Sequence, residues 1–430
     1  MFISKEQFRI LKGKLQYCKW RLQSRNSRIQ GAGLYDVDKI YWIGTERVNL
    51  SLDSPARDRL NEKEIRSSST LTPLLERGKI VGGDWDRRTI CFEEQDVWSA
   101  FKHHFEEGKD WGKTDFYDRV VRTIEGGVSM WSCKTREAFD IRLQGIDKLY
   151  QEIKNNGYRT QDTIDSGGYK PLGNEDEIQV HIGRDGEYIF ADGRHRFCVA
   201  KLLGLAKIPV KVARRHTDWV AFRQEIISYA DKQPTGKLYS RLLHPDLEDI
   251  PSVHEGDDRF ELIRKNLPVP SGTVLDIGAH WGYFCHRLEK LGFDCVASEY
   301  LPINQYFIKK IRDVEKLKFK IMMGSILKHE ENLHYDIALA LNIFHHFIKN
   351  KDEYERLKRF LNRLDVNNMF FESHSPNESQ MKKQGIYKNF QADEFAMWVQ
   401  GHAGFQEIKF LGGTTEGRRM YLLSRSPHSS

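Results

Sequence analysis

The sequence lacks most of the features that assign a chain at sight. Its six cysteines, at positions 18, 91, 133, 198, 285 and 295, form no CxxC pair and no dense framework, which argues against a zinc knuckle or a disulfide-stapled fold and fits a reducing cytoplasm. No stretch approaches the roughly 18 consecutive apolar residues of a membrane span. The opening MFISKEQFRILKGKLQYCKWRLQ is broken by charges before an apolar core of signal-peptide length forms, so a soluble, unprocessed cytoplasmic chain is expected. An excess of one charge is also missing: 67 Lys and Arg against 61 Asp and Glu leave +6, too little to indicate nucleic acid but compatible with anionic small molecules. No repeat and no low-complexity block appears.

What is present is enough apolar material, 39% of 430 residues with 12% aromatic, to fill two or three cores rather than one. Phe8, Leu11, Leu15, Cys18 and Leu22 recur at helical spacing opposite Lys12, Lys14, Lys19 and Arg21. A helix packed on its own domain outweighs a membrane-surface helix there. Residues 1–115 mix short strand-like pieces such as KIYWIG with the Ser-rich RSSSTLTP and the acidic-aromatic GGDWDRR, and their fold is left unassigned. Helical spacing follows at TDFYDRVVRTIEGG and at EAFDIRLQGIDKLYQEIKNNGY, the second closed by Asn-Gly.

Two strand-to-helix turns carry the functional argument. In the first, TVLDIGAHWGYF, an apolar strand ends in Asp276 and passes through Gly278 and Gly282 into a helix. The glycines permit close backbone approach, and the opening amides face a ligand beyond the strand ends. Asp276 suits a cationic or hydroxyl-bearing group better than a pyrophosphate. Glu299 ends the next strand, VASEY, about twenty residues past the turn, where a carboxylate accepts ribose hydroxyls. Strands are expected at TVLDIG, DCVASE, FKIMMG, YDIALAL and NMFFES, with helices after the first, second and fourth, and FQEIKFLGGTTEGRRMYLLSR reads as a closing antiparallel hairpin.

Residues 260–425 resemble a class I S-adenosylmethionine-dependent methyltransferase, through VLDIGAHWGYF, the acid of SEY, GSI after the third strand, YDIALALNIFHHF and the reversed last strand. The family favours glycine where His280 stands, and Ser325 replaces a more usual Asp. The resemblance implies S-adenosylmethionine as cofactor, held by Asp276, Gly278, Gly282, Glu299, Ser325 and Asn342. An acceptor hydroxyl needs a base, and NIFHHF offers His345 and His346 beside Asn342 while FFESH offers Glu372 and His374. His346 and Glu372 are favoured, with His345 as the third catalytic candidate.

The second turn, YIFADGRHRFCVAKLLGLAKIPVKV, gathers Asp192, Gly193, Arg194, His195 and Arg196 at a helix expected to open near Arg196, an electrostatic site for phosphate. Residues 165–220 resemble the ParB/sulfiredoxin-like superfamily, with Gly193 to Arg196 as its G-x-x-R turn followed by VAKLLGLAKIPV. Arg194 stands where sulfiredoxins carry their cysteine, so sulfinic reduction is excluded. The Asp-Gly-x-His-Arg form is closer to the superfamily's nucleotide-dependent kinases, in which an upstream Glu acts as base; Glu175 and Glu177 are the residues available. A salt-bridged helix end that binds nothing is the alternative, with Asp192 pairing to Arg196.

The expectation is an α/β protein in which an α+β ParB-like domain (116–230) follows the unassigned region, then a linker (231–258) and a Rossmann-like methyltransferase domain with a reversed last strand (259–430). Its expected activity is methylation of an oxygen or nitrogen on a small metabolite or glycan, with a nucleoside triphosphate or diphosphate as the second ligand. A small-molecule kinase, alone or joined to a methyltransferase, is the rival, and a nucleotide-sensing binding protein the third reading. No metal set and no recognition helix for nucleic acid is legible.

Overall fold

The computed structural model describes residue 36 and residues 39–52, 78–131, 133–160, 177–329, 333–382 and 385–425. The basic N-terminal helix, RSSSTLTP and Glu175 lie outside them. The chain forms two compact units, divided between Ile226 and Ile227.

The first unit is built on one mixed sheet. Its strands are β1 (Tyr41–Gly44), β2 (Leu50–Leu52), β3 (Lys79–Val81), β4 (Thr89–Cys91), β5 (Ile178–Ile182), β6 (Tyr188–Asp192) and β7 (Lys207–His216), in the order β1-β7-β5-β6-β2-β4. The ten residues of β7 give it room for β1 against Lys207–Val210 and for β3 against Arg214–His216. The strands β1 to β4 therefore share a sheet with β5 to β7. The Arg-Asp-Gly turn joins β5 to β6 as the antiparallel hairpin its alternation predicts.

Helix α1 (Asp96–Phe105) precedes α2 (Asp115–Glu125) and α3 (Arg136–Asn156), whose starts are fixed by side-chain caps: Thr114 accepts from the Tyr117 amide and Thr135 from the Ala138 amide. Gly157, at φ 74°, stops α3. The acidic-aromatic strings serve structure. Buried Asp86 accepts from the backbone and side chain of Arg184 on the hairpin, and Asp147 accepts from Trp111 Nε1. Helix α4 (Arg194–Leu202) opens two residues earlier than expected, at Arg194, because Gly193 takes φ 85° and caps it.

Helix α5 (Thr217–Asp231) follows, and the second unit begins within it. Residues 231–258, expected as linker, carry the short pair β8 (Leu238–Ser240) and β9 (Ser252–His254) before α6 (Asp257–Lys265). The main sheet consists of β10 (Gly272–Ile277), β11 (Phe293–Glu299), β12 (Lys320–Met323), β13 (His334–Leu341), β14 (Asp365–Glu372), β15 (Glu407–Gly413) and β16 (Arg419–Ser424). Its order is β12-β11-β10-β13-β14-β16-β15; β10 to β14 are parallel and β16 lies antiparallel between β14 and β15. This is a Rossmann-like sheet with a reversed last strand, as the sequence predicted.

Successive residues alternate between two apolar layers, as a parallel sheet covered on both faces requires. Val274, Ile337, Leu339 and Phe370 pack with Phe260, Tyr283 and Leu288 on one side, while Leu275, Ala338, Ala340 and Phe371 pack with Leu357, Phe360 and Phe395 on the other. The covering helices are α7 (Tyr283–Glu289), α8 (Pro302–Val314), α9 (Lys351–Arg363) and α10 (Ala392–Ala403). The last was not expected from the sequence, although Gln391 and Glu394 form its capping box and Gly404, at φ 72°, ends it.

A Cβ on Gly193 would stand 2.9 Å from Ile178 Cα, on top of its left-handed backbone. Gly193→Ala is predicted to cost about 2 kcal/mol. Urea unfolding followed by tryptophan fluorescence should show the loss in the first unit's transition, and an unchanged midpoint would contradict this account of the turn.

Candidate active site

Ligands of open parallel sheets bind beyond the carboxyl ends of the strands, and here those ends collect the sequence-predicted residues. Asp276, near the end of β10, is buried; its Oδ2 lies 3.6 Å from the Cys285 thiol, which donates to it. Desolvation, with Glu299 adding repulsion, pushes its carboxyl up to about 7. Among the described residues that thiol is the carboxyl's one hydrogen-bond partner, and a cation would complete the site electrostatically.

Gly278 follows at φ 75°, and its amide and that of Ala279 both donate to Ser298 O, which ties the turn to β11. A Cβ at Gly278 would stand 2.7 Å from the Ile343 side chain. Gly282, at φ 82°, caps α7 with Ile308 and Phe319 against it. His280 explains why this position favours glycine: it is left-handed, at φ 51°, and carries the strain of a side chain there. Its ring stacks on Trp281 and meets Tyr239, and burial holds the imidazole neutral, down to about 3.

Glu299, at the end of β11, is buried, with Oε2 accepting from the His280 amide and Oε1 from the Leu301 amide. Burial raises its carboxyl despite these bonds. Gly324 donates to Glu299 O, which brings Ser325, half-buried after β12, next to the same strand end.

At the ends of β13 and β14 the side chains form a closed circuit. Asn342, left-handed at φ 51°, donates its backbone amide to Glu372 O. The side-chain amide orientation that satisfies its neighbours donates to His345 Nδ1 at 3.2 Å and accepts from Arg418 at 2.8 Å. His345 Nε2 meets Gln380 Oε1 at 3.1 Å, Gln380 Nε2 donates to Glu378 at 2.8 Å, and Arg418 Nε donates to Glu378 at 2.9 Å. Both nitrogens of His345 are thereby occupied. Its imidazole is driven far down by burial, then by His346 and Lys349.

Glu372 is paired with Arg259 of α6, Nε to Oε1 at 2.9 Å, rather than with a histidine. Arg259 also reaches Glu416 at 2.7 Å, as does Arg418 at 2.6 Å. Glu372 Oε2 is buried with no hydrogen-bond partner among the described residues. His374 is buried too, with Nε2 on Asn389 Oδ1 at 3.1 Å. His346 is exposed on its loop, its ring 4.0 Å from that of His345.

In the first unit, the helix-opening residues form a second cluster. Asp192 Oδ1 accepts from the Gly193 amide at 2.7 Å, and Arg196, buried, pairs instead with buried Glu177 at 4.0 Å. Tyr158 donates to Glu177 at 3.4 Å. His195 lies against Trp131, with ring centroids 4.1 Å apart, and near Phe101; burial, then Arg142, Arg194 and Arg196, hold it neutral. Arg142, on α3, carries no motif that marks it in the sequence. Its Nε and His195 Nε2 are buried without hydrogen-bond partners among the described residues. Cys198 is wholly buried, a core residue. Among the described residues no group of metal ligands assembles, and no helix is long and apolar enough to cross a membrane.

No family model and no curated protein matches the chain. Among solved structures it is similar to WbdD, at 20% identity and a TM-score of 0.38, over 47% of this chain and 46% of that one. It is similar also to the methyltransferase domain of a bacterial Hen1, at 13% identity and a TM-score of 0.32, over 39% of this chain and 98% of that one. The magnesium protoporphyrin IX methyltransferase of Synechocystis PCC 6803, solved with bound SAM, is similar at 13% identity and a TM-score of 0.31, over 40% and 77% of the two chains. The chain spans less than half the length of WbdD, which is described as a bifunctional kinase-methyltransferase.

Asp276 also links stability to pH. An acid whose folded value is raised to about 7, against an ordinary 3.8, holds its proton longer when folded, so its contribution falls as pH rises from about 4 to 7. Asp276→Asn is predicted to remove that decline: the variant should equal the wild type near pH 4 and exceed it at pH 8. Chemical denaturation at the two pH values checks this, and a variant weaker at pH 8 would contradict it.

Proposed function

We propose that the second unit is an S-adenosylmethionine-dependent methyltransferase that acts on an oxygen or nitrogen of a small metabolite or glycan. One observation carries the reading: at the carboxyl ends of β10 and β11, a buried, cation-deficient Asp276 stands beside a glycine turn and the buried Glu299. That donor set fits a ligand with a positive charge and vicinal hydroxyls but no pyrophosphate. Asp276 would take the cationic end, Glu299 the ribose, and Gly278 and Gly282 would allow the backbone approach, with Ser325 and Asn342 at the margins. When bound, S-adenosylmethionine supplies an electrophilic methyl group.

The chain's own residues contribute position and electrostatics. The circuit through Asn342, His345, Gln380, Glu378 and Arg418 holds the loops after β13 and β14 in fixed register. Glu372 Oε2, kept buried by the Arg259 pairing, is an acceptor for a donor group of the incoming substrate. His345, with both nitrogens engaged, positions the site; His346 lies at its exposed rim.

The first unit supports a second ligand. Gly193 opens α4 with Arg194, His195 and Arg196 at its start and Arg142 reaching the same group from α3, an arrangement suited to a nucleotide or other phosphoester. Glu177, engaged by Arg196 and Tyr158, is the carboxylate available should that ligand be a phosphoryl donor.

Calorimetric titration of the full chain with S-adenosylhomocysteine and with ATP tests both assignments. Asp276→Ala is predicted to weaken S-adenosylhomocysteine at least tenfold and leave ATP binding alone, and Arg196→Ala to do the reverse. S-adenosylmethionine titrated near pH 7 in buffers of different ionisation enthalpy should release up to one proton, lost in Asp276→Asn, because a cation favours the ionised carboxyl. Failure of the wild type to bind either adenosyl ligand would overturn the methyltransferase reading.

A further inference from the structure

Resting on the methyl-transfer reading, one further residue can be given a role. We propose that His374 is the base that takes the acceptor's proton, through Nδ1. Asn389 sets the tautomer of this imidazole. Its Nδ2 donates to Pro376 O at 3.2 Å and to Met381 O at 3.3 Å, so two carbonyls fix the amide and turn its Oδ1 toward His374. An acceptor facing Nε2 at 3.1 Å requires that Nε2 carry the proton. Nδ1 is then a bare lone pair. It is buried and has no hydrogen-bond partner among the described residues, on a side chain only 1% exposed.

A buried acceptor left unsatisfied costs about 1–3 kcal/mol, a cost that a ligand's O–H or N–H removes. The neighbouring imidazoles differ in kind. His345, its ring centroid 5.8 Å from that of His374, donates through Nε2 and accepts through Nδ1 within the circuit, so it has no lone pair to offer. His346 is exposed, and no neighbouring group fixes its tautomer in the way Asn389 fixes that of His374. Two residues before His374, Glu372 presents a further buried acceptor without a hydrogen-bond partner among the described residues, Oε2. A substrate with two donor groups, as in a polyol or sugar, would satisfy both atoms, one group deprotonated by His374 and one held by Glu372.

The charged groups around His374 are Glu378, which favours the imidazolium, and Lys349 and Arg418, which oppose it; with desolvation, the balance lowers its value and keeps the base neutral at pH 7. In the transfer, the acceptor oxygen or nitrogen bonds to the methyl carbon as the sulfonium–carbon bond breaks and leaves its electron pair on sulfur, and the acceptor's proton passes to His374 Nδ1.

The test has two arms on the full chain. Nitrogen NMR of histidine-labelled protein, with His374→Gln to assign the signal, should show His374 as the neutral Nε2–H tautomer at pH 7; a proton on Nδ1, or an imidazolium, overturns the proposal whatever the acceptor is. Asn389→Asp, which puts a carboxylate on Nε2, should raise the pH at which that signal titrates. In the second arm, methyl-labelled S-adenosylmethionine is offered with a panel of sugars, phenols and amines. His374→Gln should lose about a hundredfold or more in rate, with unchanged donor affinity by calorimetry and a residual rate that climbs with pH. A variant within threefold of wild type overturns the role of His374 alone. A wild type that binds the donor and labels nothing counts against methyl transfer itself, and the role falls with it.

Discussion

The ion pair between Arg259 and Glu372 is the constraint on which the carboxyl edge of the second sheet depends. Both side chains are buried, and removing two charges from water is repaid only by good geometry and further partners. Those partners exist for the cation: Arg259 also meets Glu416, which meets Arg418, which closes on Glu378 and Asn342. One connected set thus fastens the helix before β10, the loops after β13 and β14 and the β15–β16 turn. The anion is satisfied at one oxygen only. A network that rigid can hold an unsatisfied acceptor in place, which a pliable loop would turn toward water.

Backbone strain follows the same map. Among the described residues, four that are not glycine have positive φ: Trp131, His280, Lys316 and Asn342. His280 and Asn342 follow the ends of the adjacent strands β10 and β13, and Trp131 packs against His195 at the opening of α4. Strained residues persist where the surroundings over-determine them, and they gather at ligand sites. Three of the four here adjoin one of the two clusters.

Local chemistry made much of this legible in the sequence. Short apolar runs, most of them ending at an acid or a glycine, marked the chain order and ends of β10 to β14 to within a few residues, and the Gly-rich loop announced the reversed strand. The α10 helix went unread although its Gln391 and Glu394 box was in view. Partnerships were beyond reach. Arg259 and Glu372 lie 113 positions apart, and nothing periodic connects them. Gln380, which engages His345, lies 35 positions from it and could not be placed, and Asn389, which fixes the His374 tautomer, is an ordinary polar residue until the fold brings it close. In the first unit, strands of three residues such as β2 and β4 carry too little pattern to pair by eye.

In the proposed reading, the carboxyl ends of β10 and β11 hold a cationic nucleoside whose reactive end faces β13 and β14. A crystal structure with S-adenosylhomocysteine tests it most directly. The account predicts ribose hydroxyls on Glu299, the amino acid end near Asp276, and the sulfur open toward Asn342 and His374. A ligand absent at saturating concentration, or seated with its sulfur turned away from those residues, would contradict it.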